Sequence, residues 1–266
     1  MGEFEELPEH VNELVDSFIA EPVVGDLNVG ITQYTFYMFL AVAIIFVVLF
    51  IFKKKESVSL VPQGRFVNAV EYVIEFARKD LVEDILHSTW RQHFPFIATV
   101  FFFILVNNLL GVIPGMHPGT GTIGVTFALA LISFVYFIYV GVKKDGGWGY
   151  IKSLKPKGVP FPLDWLVWLI ELFSTFLRLI TLAVRLFCNM FAGHVVMGTF
   201  AILASLFISR FAQGVTLEAF TGAGISLLWL LVLIVIYLVE ILVAAIQAYV
   251  FSLLTAVYVQ IAEEDE

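Results

Sequence analysis

Residues 163–209 read LDWLVWLIELFSTFLRLITLAVRLFCNMFAGHVVMGTFAILASLFIS, an apolar run of about 45 residues. A second apolar run, Ile225–Ala262, covers about 38 residues. As α-helices rising ~1.5 Å per residue they would be about 68 Å and 57 Å long, against a hydrocarbon core of roughly 30 Å. Neither run contains a Pro or a charged turn that would divide it into two upright spans. We therefore expect two long helices that lie steeply tilted, or that kink at glycines such as Gly193 and Gly198.

The composition places the whole chain in a membrane. Of its 266 residues, 60% are hydrophobic and 14% are charged, whereas a soluble domain averages about 45–50% apolar and about 25% charged residues. A single cysteine, Cys188, excludes an internal disulfide framework. The acidic residues 1–30 resemble neither a signal peptide nor an Arg-rich transit peptide. The expected fold class is therefore an all-α integral membrane protein.

Three shorter apolar runs precede the two long ones and bring the expected number of membrane-crossing helices to five. The runs are Tyr34–Phe52, His93–Ile113 and Thr122–Val142. A Pro- and Gly-rich turn, residues 114–119, separates the second run from the third. We expect one membrane domain over residues 1–266. Its parts are an acidic external segment (1–33), a transmembrane helix (34–52), an amphipathic interfacial helix (62–91), a transmembrane hairpin (93–142) and a tilted helix hairpin (163–262).

The interfacial helix is predicted from two faces of different polarity. Apolar residues recur at helical spacing, and charged residues fall on the opposite side. The apolar set is Phe66, Val70, Val73, Ala77, Leu81 and Ile85, and the charged set is Glu71, Glu75, Arg78 and Lys79.

Basic residues predict the orientation. Apart from Arg178 and Arg185 inside the first long run, 12 of the 13 lysines and arginines lie in residues 53–91 and 143–157, and the remaining one is Arg210. Because such residues concentrate on the cytoplasmic side, five crossings would leave the N-terminus outside and the C-terminus in the cytoplasm. Without a transit peptide, the bacterial inner membrane is the expected location.

The first long run carries four charges where lipid would be expected. Asp164, Glu171, Arg178 and Arg185 are seven residues apart, so they fall within about 60° of one helix face. Each would cost at least about 2.5–3.5 kcal/mol at membrane depth, so such residues usually face a partner or water. Glu171 and Arg178 could pair with each other or serve function. Arg185 has no carboxylate three or four residues away and is a permanent cation, which favours a functional role.

The second long run carries a matching polar stripe. Tyr237, Glu240, Ala244 and Gln247 are separated by three, four and three residues. In an antiparallel hairpin with a turn near residue 216, Gln247 would lie level with Arg185, and Glu240 level with His194. The two layers would be about 12 Å apart along the helices. A histidine and a carboxylate at one depth are a plausible proton relay, since both titrate near neutral pH when their surroundings shift them. The alternative for His194 is a core histidine bonded to a backbone carbonyl.

Three motifs in this chain resemble those of the F-type ATP synthase subunit a family. They are RLFCNMFAGH at residues 185–194, EILVAAIQAYVF at 240–251 and NNLLGVIPG at 107–115. The resemblance covers roughly residues 60–262. It implies a non-catalytic stator subunit that offers two offset half-channels, so that ion flow turns a ring of c subunits and drives ATP synthesis.

The resemblance also implies roles for individual residues. Arg185 would be the stator arginine facing the ring carboxylates, with Gln247 beside it. His194 and Glu240 would line the half-channel open to the outside; some family members carry the carboxylate and the histidine in swapped positions. The remaining implied site residues are Asn189 in the polar path and Glu171 on the cytoplasmic side. Cys188 stands where the motif usually has glycine, and it is still small.

The implied partners are the c-subunit ring, b-type peripheral stalk subunits, the catalytic head through the stalks, and membrane lipid. No cofactor, metal or nucleic acid is expected. The alternative is a secondary transporter or stand-alone ion channel with Arg185 as an anion site, although the halves show no internal repeat. No metalloprotease, hydrolase or phosphate-loop motif argues for an enzyme. Asn107 and Asn108 could simply join helices by hydrogen bonds.

Overall fold

The computed structural model of the chain describes residues 22–24, 31–56, 64–153, 163–213 and 217–263. Helices account for nearly all of them. The elements, in chain order, are strands β1 (Pro22–Val24) and β2 (Ile31–Thr32), helices α1 (Gln33–Glu56), α2 (Arg65–Arg78), α3 (Asp84–Leu86), α4 (Trp90–Val112), α5 (Ile123–Asp145), α6 (Gly147–Ser153), α7 (Leu163–Gln213) and α8 (Leu217–Glu263). A π-helical turn, Lys79–Glu83, joins α2 to α3, and a 3₁₀ turn, Gly119–Gly121, precedes α5.

Within the described residues, five helices are long and apolar enough to cross a membrane: α1, α4, α5, α7 and α8. This confirms the five expected crossings. The short antiparallel pair of β1 and β2 was not predicted, because two strands of three and two residues leave no clear alternation in the sequence.

The two long helices are continuous. Helix α7 has 51 residues and α8 has 47, which correspond to about 76 Å and 70 Å at ~1.5 Å per residue. Helix α7 runs without interruption through Gly193 and Gly198. The predicted turn near residue 216 falls at residues 214–216, between the two helices and outside the described residues. The steep tilt stays a prediction.

Contacts between α7 and α8 run in opposite directions along the two chains. The Phe200 and Trp229 rings lie 5.6 Å apart. Further along, Gly193 packs against the Glu240 side chain, and the Arg178 guanidinium lies 5.1 Å from the centre of the Tyr258 ring. Residue numbers fall on α7 as they rise on α8, so the predicted antiparallel hairpin is confirmed.

Helix α4 lies at the centre of the bundle. More than half of its most apolar segment is buried, against 6% for α1. Helix α8 packs along α7 and α4, and α5 packs against α7 and α8. At the edge, α1 contacts α4 and the 3₁₀ turn and leaves Phe46 and Phe50 exposed. An apolar helix with an apolar exposed surface suits a lipid environment.

The amphipathic segment differs from its prediction at both ends. Ala77 and Leu81 are buried as expected, but Phe66 is exposed and Val67 is buried in its place. The π-helical turn inserts extra rotation, because its hydrogen bonds span five residues instead of four. Leu86 is consequently buried where Ile85 was expected. The segment also ends earlier, at α3, and the following crossing begins at Trp90, not His93.

Candidate functional site

Arg185 projects from the outer side of α7. A neighbouring side of the helix forms a continuous buried face made of Leu179, Leu182, Ala183, Leu186 and Met190. Arg185 itself is exposed. Among the described residues no carboxylate forms an ion pair with it. A permanent cation is therefore presented from the middle of an apolar helix, without an ion-pair partner in the part of the chain that the structure describes.

Exposed side chains next to Arg185 on α7 are small or short. Cys188 and Ala192 are exposed one and two turns further along α7, and Val184 is exposed beside the arginine. Small and short side chains allow another helix to approach closely. Asn189, one turn after Arg185, is half-buried.

Gln247 lies on the inner side of α8. It is buried between the alanines Ala244 and Ala248. Its Nε2 atom makes no hydrogen bond to any other described residue. Arg185 and Gln247 are thus exposed and buried respectively, and no hydrogen bond joins them within the described ranges.

The Glu240 carboxyl group packs directly on α7. A Cβ atom on Gly193 would lie 2.7 Å from Glu240 Cδ, a distance that real Cβ atoms essentially never show. Glycine at position 193 leaves the space that this carboxyl group occupies, and any side chain there would require the carboxyl group to shift. Glu240 therefore reaches the residue that precedes His194, at the level of the helix hairpin where the two were expected to meet.

A cavity of about 230 Å³ connects this level to the turn between α4 and α5. It is lined by residues 111–117 and by His194, Met197 and Tyr237, among others. Ile113, Pro114 and Gly115 are exposed at its rim. Polar side chains from α7 and α8 thus meet a space that reaches the surface at one end of the bundle.

The two asparagines of α4 hold neighbouring segments together. Thr120 Oγ1 donates to Asn108 Oδ1 at 2.8 Å, and Asn108 Nδ2 donates to the Ala244 carbonyl at 3.5 Å. Asn107 Nδ2 donates to the Phe103 carbonyl within α4. Asn108 therefore serves as a hydrogen-bonding link from α4 to α8, as one of the two interpretations predicted.

At the opposite end of α7, Glu171 and Arg178 are paired. Arg178 Nη2 lies 2.9 Å from Glu171 Oε1, and the guanidinium also contacts the Tyr258 ring. Tyr150 of α6 packs on Gly141 nearby, and burial raises its pKa. Arg178 thus points toward α8, whereas Arg185 faces outward. The side chain of Asp164 lies outside the described residues.

Comparison with known proteins agrees with this arrangement. A family model described as ATP synthase A chain matches residues 35–260. The chain is 35% identical to ATP synthase subunit a of Myxococcus xanthus, over 88% of this chain and 73% of that protein. It is 34% identical to ATP synthase subunit a of Bartonella quintana, over 94% of each chain. The same subunit of Rhodococcus erythropolis is 38% identical over 78% of this chain and 74% of its own length.

The chain belongs to the ATP synthase A chain family. It is a multi-pass membrane protein of that family, and the candidate site residues of this A chain lie at different levels of the hairpin. Glu171 lies near the start of α7, and the others lie near the middle of the hairpin, with His194 and Glu240 closer to the turn than Arg185, Asn189 and Gln247.

The structure of this A chain also contains a polar cluster that sequence reasoning missed. His93 Nδ1 and Tyr136 Oη are 2.9 Å apart, and His93 Nε2 lies 2.9 Å from Glu263 Oε1. Thr89 Oγ1 donates to Glu263 Oε2, and Lys144 Nζ donates to the Glu263 carbonyl. The cluster joins the start of α4, the α5 helix and the end of α8. His93 at the edge of an apolar run was the only signal, and it identified no partner.

Proposed function

We propose that this A chain is the proton-conducting stator subunit of an F-type ATP synthase. In this role it provides two offset half-channels and a fixed arginine, Arg185, that faces a ring of c subunits. The observation that carries the proposal is the exposed guanidinium on an apolar helix face, with no ion pair among the described residues. Its surroundings, with Cys188 and Ala192, are small enough for another helix to pass closely.

The physical reason for a fixed cation lies in the cost of charge in lipid. A ring carboxylate can face lipid only when it is protonated, because the ionised form is too costly there. An ionised carboxylate is attracted to Arg185, which cannot give up its own proton. The same charge repels a proton that would pass straight from one half-channel to the other. Net proton flow must therefore accompany rotation of the ring.

The outer half-channel would follow the cavity toward His194 and Glu240. Protons would enter at the turn of residues 113–117 and move through polar side chains toward the ring-facing surface. Gln247 and Asn189 would line the polar path near Arg185. The buried amide nitrogen of Gln247 has no hydrogen-bond partner among the described residues, which supports this role because such a group favours a polar or hydrated neighbour.

The inner half-channel would open near Glu171, which is partly exposed despite its pairing with Arg178. Basic residues at the ends of α1 and α5 support a cytoplasmic location for this end, and an external one for the N-terminus. We assign the chain to the bacterial inner membrane. Its partners would be the c-subunit ring, b-type peripheral stalk subunits and, through the stalks, the catalytic head; the chain itself would carry out no catalytic chemistry.

The test is ATP-driven acidification, measured together with passive proton leak, in vesicles that hold the whole complex. Arg185→Ala is expected to reduce pumping at least tenfold and to change the leak, because the charge that separates the half-channels is lost. Arg91→Ala is the matched control, since Arg91 is an exposed arginine at the start of α4 and outside the candidate site. Coupled pumping that persists in Arg185→Ala membranes would show that the proposed function is wrong.

A further inference from the structure

His117 lies in the connection between α4 and α5, at the mouth of the cavity. Two tyrosines of α1 hold it in place. The Tyr34 ring lies 5.7 Å from the His117 ring, and the Tyr37 ring 6.1 Å from it. Tyr37 Oη also donates to the Gly115 carbonyl at 3.5 Å. The imidazole is therefore fixed by a neighbouring helix and is half-buried.

The ring of Pro118, the residue after His117, packs on Gly111 of α4, as does the His194 imidazole. A Cβ atom on Gly111 would lie 3.0 Å from His194 Nε2 and 3.0 Å from Pro118 Cγ. Pro118 and the His194 imidazole thus both lie against Gly111. Both histidines line the same cavity. Its 230 Å³ can hold several water molecules, since one water occupies about 30 Å³ in the liquid.

We propose that His117 is a further proton-carrying residue of the outer half-channel, which takes protons from the outer solution and passes them through the cavity to His194. The inference rests on the proposed function and adds a residue to it. In each transfer one imidazole nitrogen binds a proton from outside water, and the other nitrogen releases one to the water of the cavity or to His194. The imidazole is then neutral in its other tautomer, and exchange of its ring proton with water restores the first tautomer before the next transfer.

The surroundings of His117 suit this exchange. Burial lowers the pKa of His117, so the neutral form, with one donor and one acceptor nitrogen, is favoured at neutral pH. The titratable groups that face it are Tyr34 and Tyr37 from α1, His194 from α7 and Tyr237 from α8. None of them is a carboxylate or a permanent cation that would fix the charge of His117.

The experiment measures proton-driven ATP synthesis by the whole complex in proteoliposomes, with the pH on the outer-face side varied and the other side held constant. His117→Gln keeps a polar side chain that cannot carry a proton. We expect its rate to fall about fivefold at outer pH 7.5 and to approach the wild-type rate near pH 5.5, where protons are plentiful. His87→Gln makes the same substitution at an exposed histidine beyond α3 and should leave the pH profile unchanged.

Two results would overturn the assignment: a His117→Gln profile identical to wild type, or a loss by the same factor at every pH, as a purely structural role predicts. If His117→Gln does not assemble, His117→Glu provides the test. The carboxyl group can still carry protons, and its lower pKa should displace the profile toward lower outer pH; an undisplaced profile would contradict the proposal. Arg185→Ala in the same preparation separates the two proposals. If coupled ATP synthesis persists in that variant, the proposed function itself is wrong, whatever the result for His117.

Discussion

At position 193 a side chain would overlap the place that the Glu240 carboxyl group occupies. The space above the Gly193 Cα is filled by the Glu240 carboxyl group, and Pro118 and His194 fill the equivalent space above Gly111. Both glycines lie inside helices, where glycine costs roughly 0.5–1 kcal/mol relative to alanine. This cost allows the His194 imidazole to approach α4 and the Glu240 carboxyl group to approach α7.

Gly193→Ala is therefore expected to displace the Glu240 carboxyl group from α7. Because that group is the far end of a flexible side chain, it can shift at little cost in stability. We therefore expect the complex to assemble while ATP-driven pumping falls several-fold. The measurement is vesicle acidification normalised to the amount of chain. Gly124→Ala in α5 is the control, because its Cβ would meet no atom within 4 Å. Pumping equal to wild type in Gly193→Ala would contradict the close packing.

Sequence reasoning found the charged residues more readily than the groups that hold them. Arg185 and Glu240 are conspicuous because a charge inside an apolar run is costly wherever the helix packs. Contacts between segments that are distant in the sequence are needed to identify the roles of Gly193, Gly111 and His117. His117 was predicted as part of a turn, and the structure agrees. The Pro and Gly residues around it gave no indication that it lines a cavity.

At the scale of helices, the end of α8 is tied to two others by Glu263. Its carboxylate accepts from Thr89 and contacts His93, and its backbone carbonyl accepts from Lys144. His93 is nearly completely buried, so removal of its partner leaves a polar group without its hydrogen bond, which costs ≈ 1–3 kcal/mol. The cluster therefore anchors the last turn of α8.

Glu263→Ala is expected to loosen that turn. Amide hydrogen exchange at the end of α8 should become at least tenfold faster, and the detergent-solubilised complex should lose a few degrees of thermal stability. Asp145→Asn removes a carboxylate at the exposed end of α5 and serves as the control. Exchange rates that are unchanged in Glu263→Ala would mean that the anchor is not energetically significant.

Helix periodicity predicted that each long helix exists, but it did not predict in every case which residues of a helix are buried. Hydrophobic length alone identified the five crossings. The π-helical turn of residues 79–83 was missed because a 3.6-residue pattern assumes uniform hydrogen bonding. From that turn onward the buried positions shift by one residue, as Leu86 shows.

For the whole molecule, the asymmetry of basic residues makes a prediction about sidedness. In a Cys188→Ser background, Pro114→Cys lies in the exposed turn after α4, and Trp148→Cys lies at the exposed start of α6. A membrane-impermeant thiol reagent applied from outside should label the first cysteine and not the second. Labelling of the second cysteine alone would reverse the proposed orientation.

The continuous length of α7 bears on the kind of membrane in which the protein can work. Its apolar segment of 41 residues is ~61 Å long and would cross a ~30 Å core at about 60° from the normal. At that angle a bilayer thicker by ~3 Å is matched by a rotation of only about 3°, whereas an upright helix must stretch or compress the lipid around it. The hairpin is therefore expected to tolerate changes in acyl-chain length, such as those that accompany growth temperature, with little displacement of Arg185.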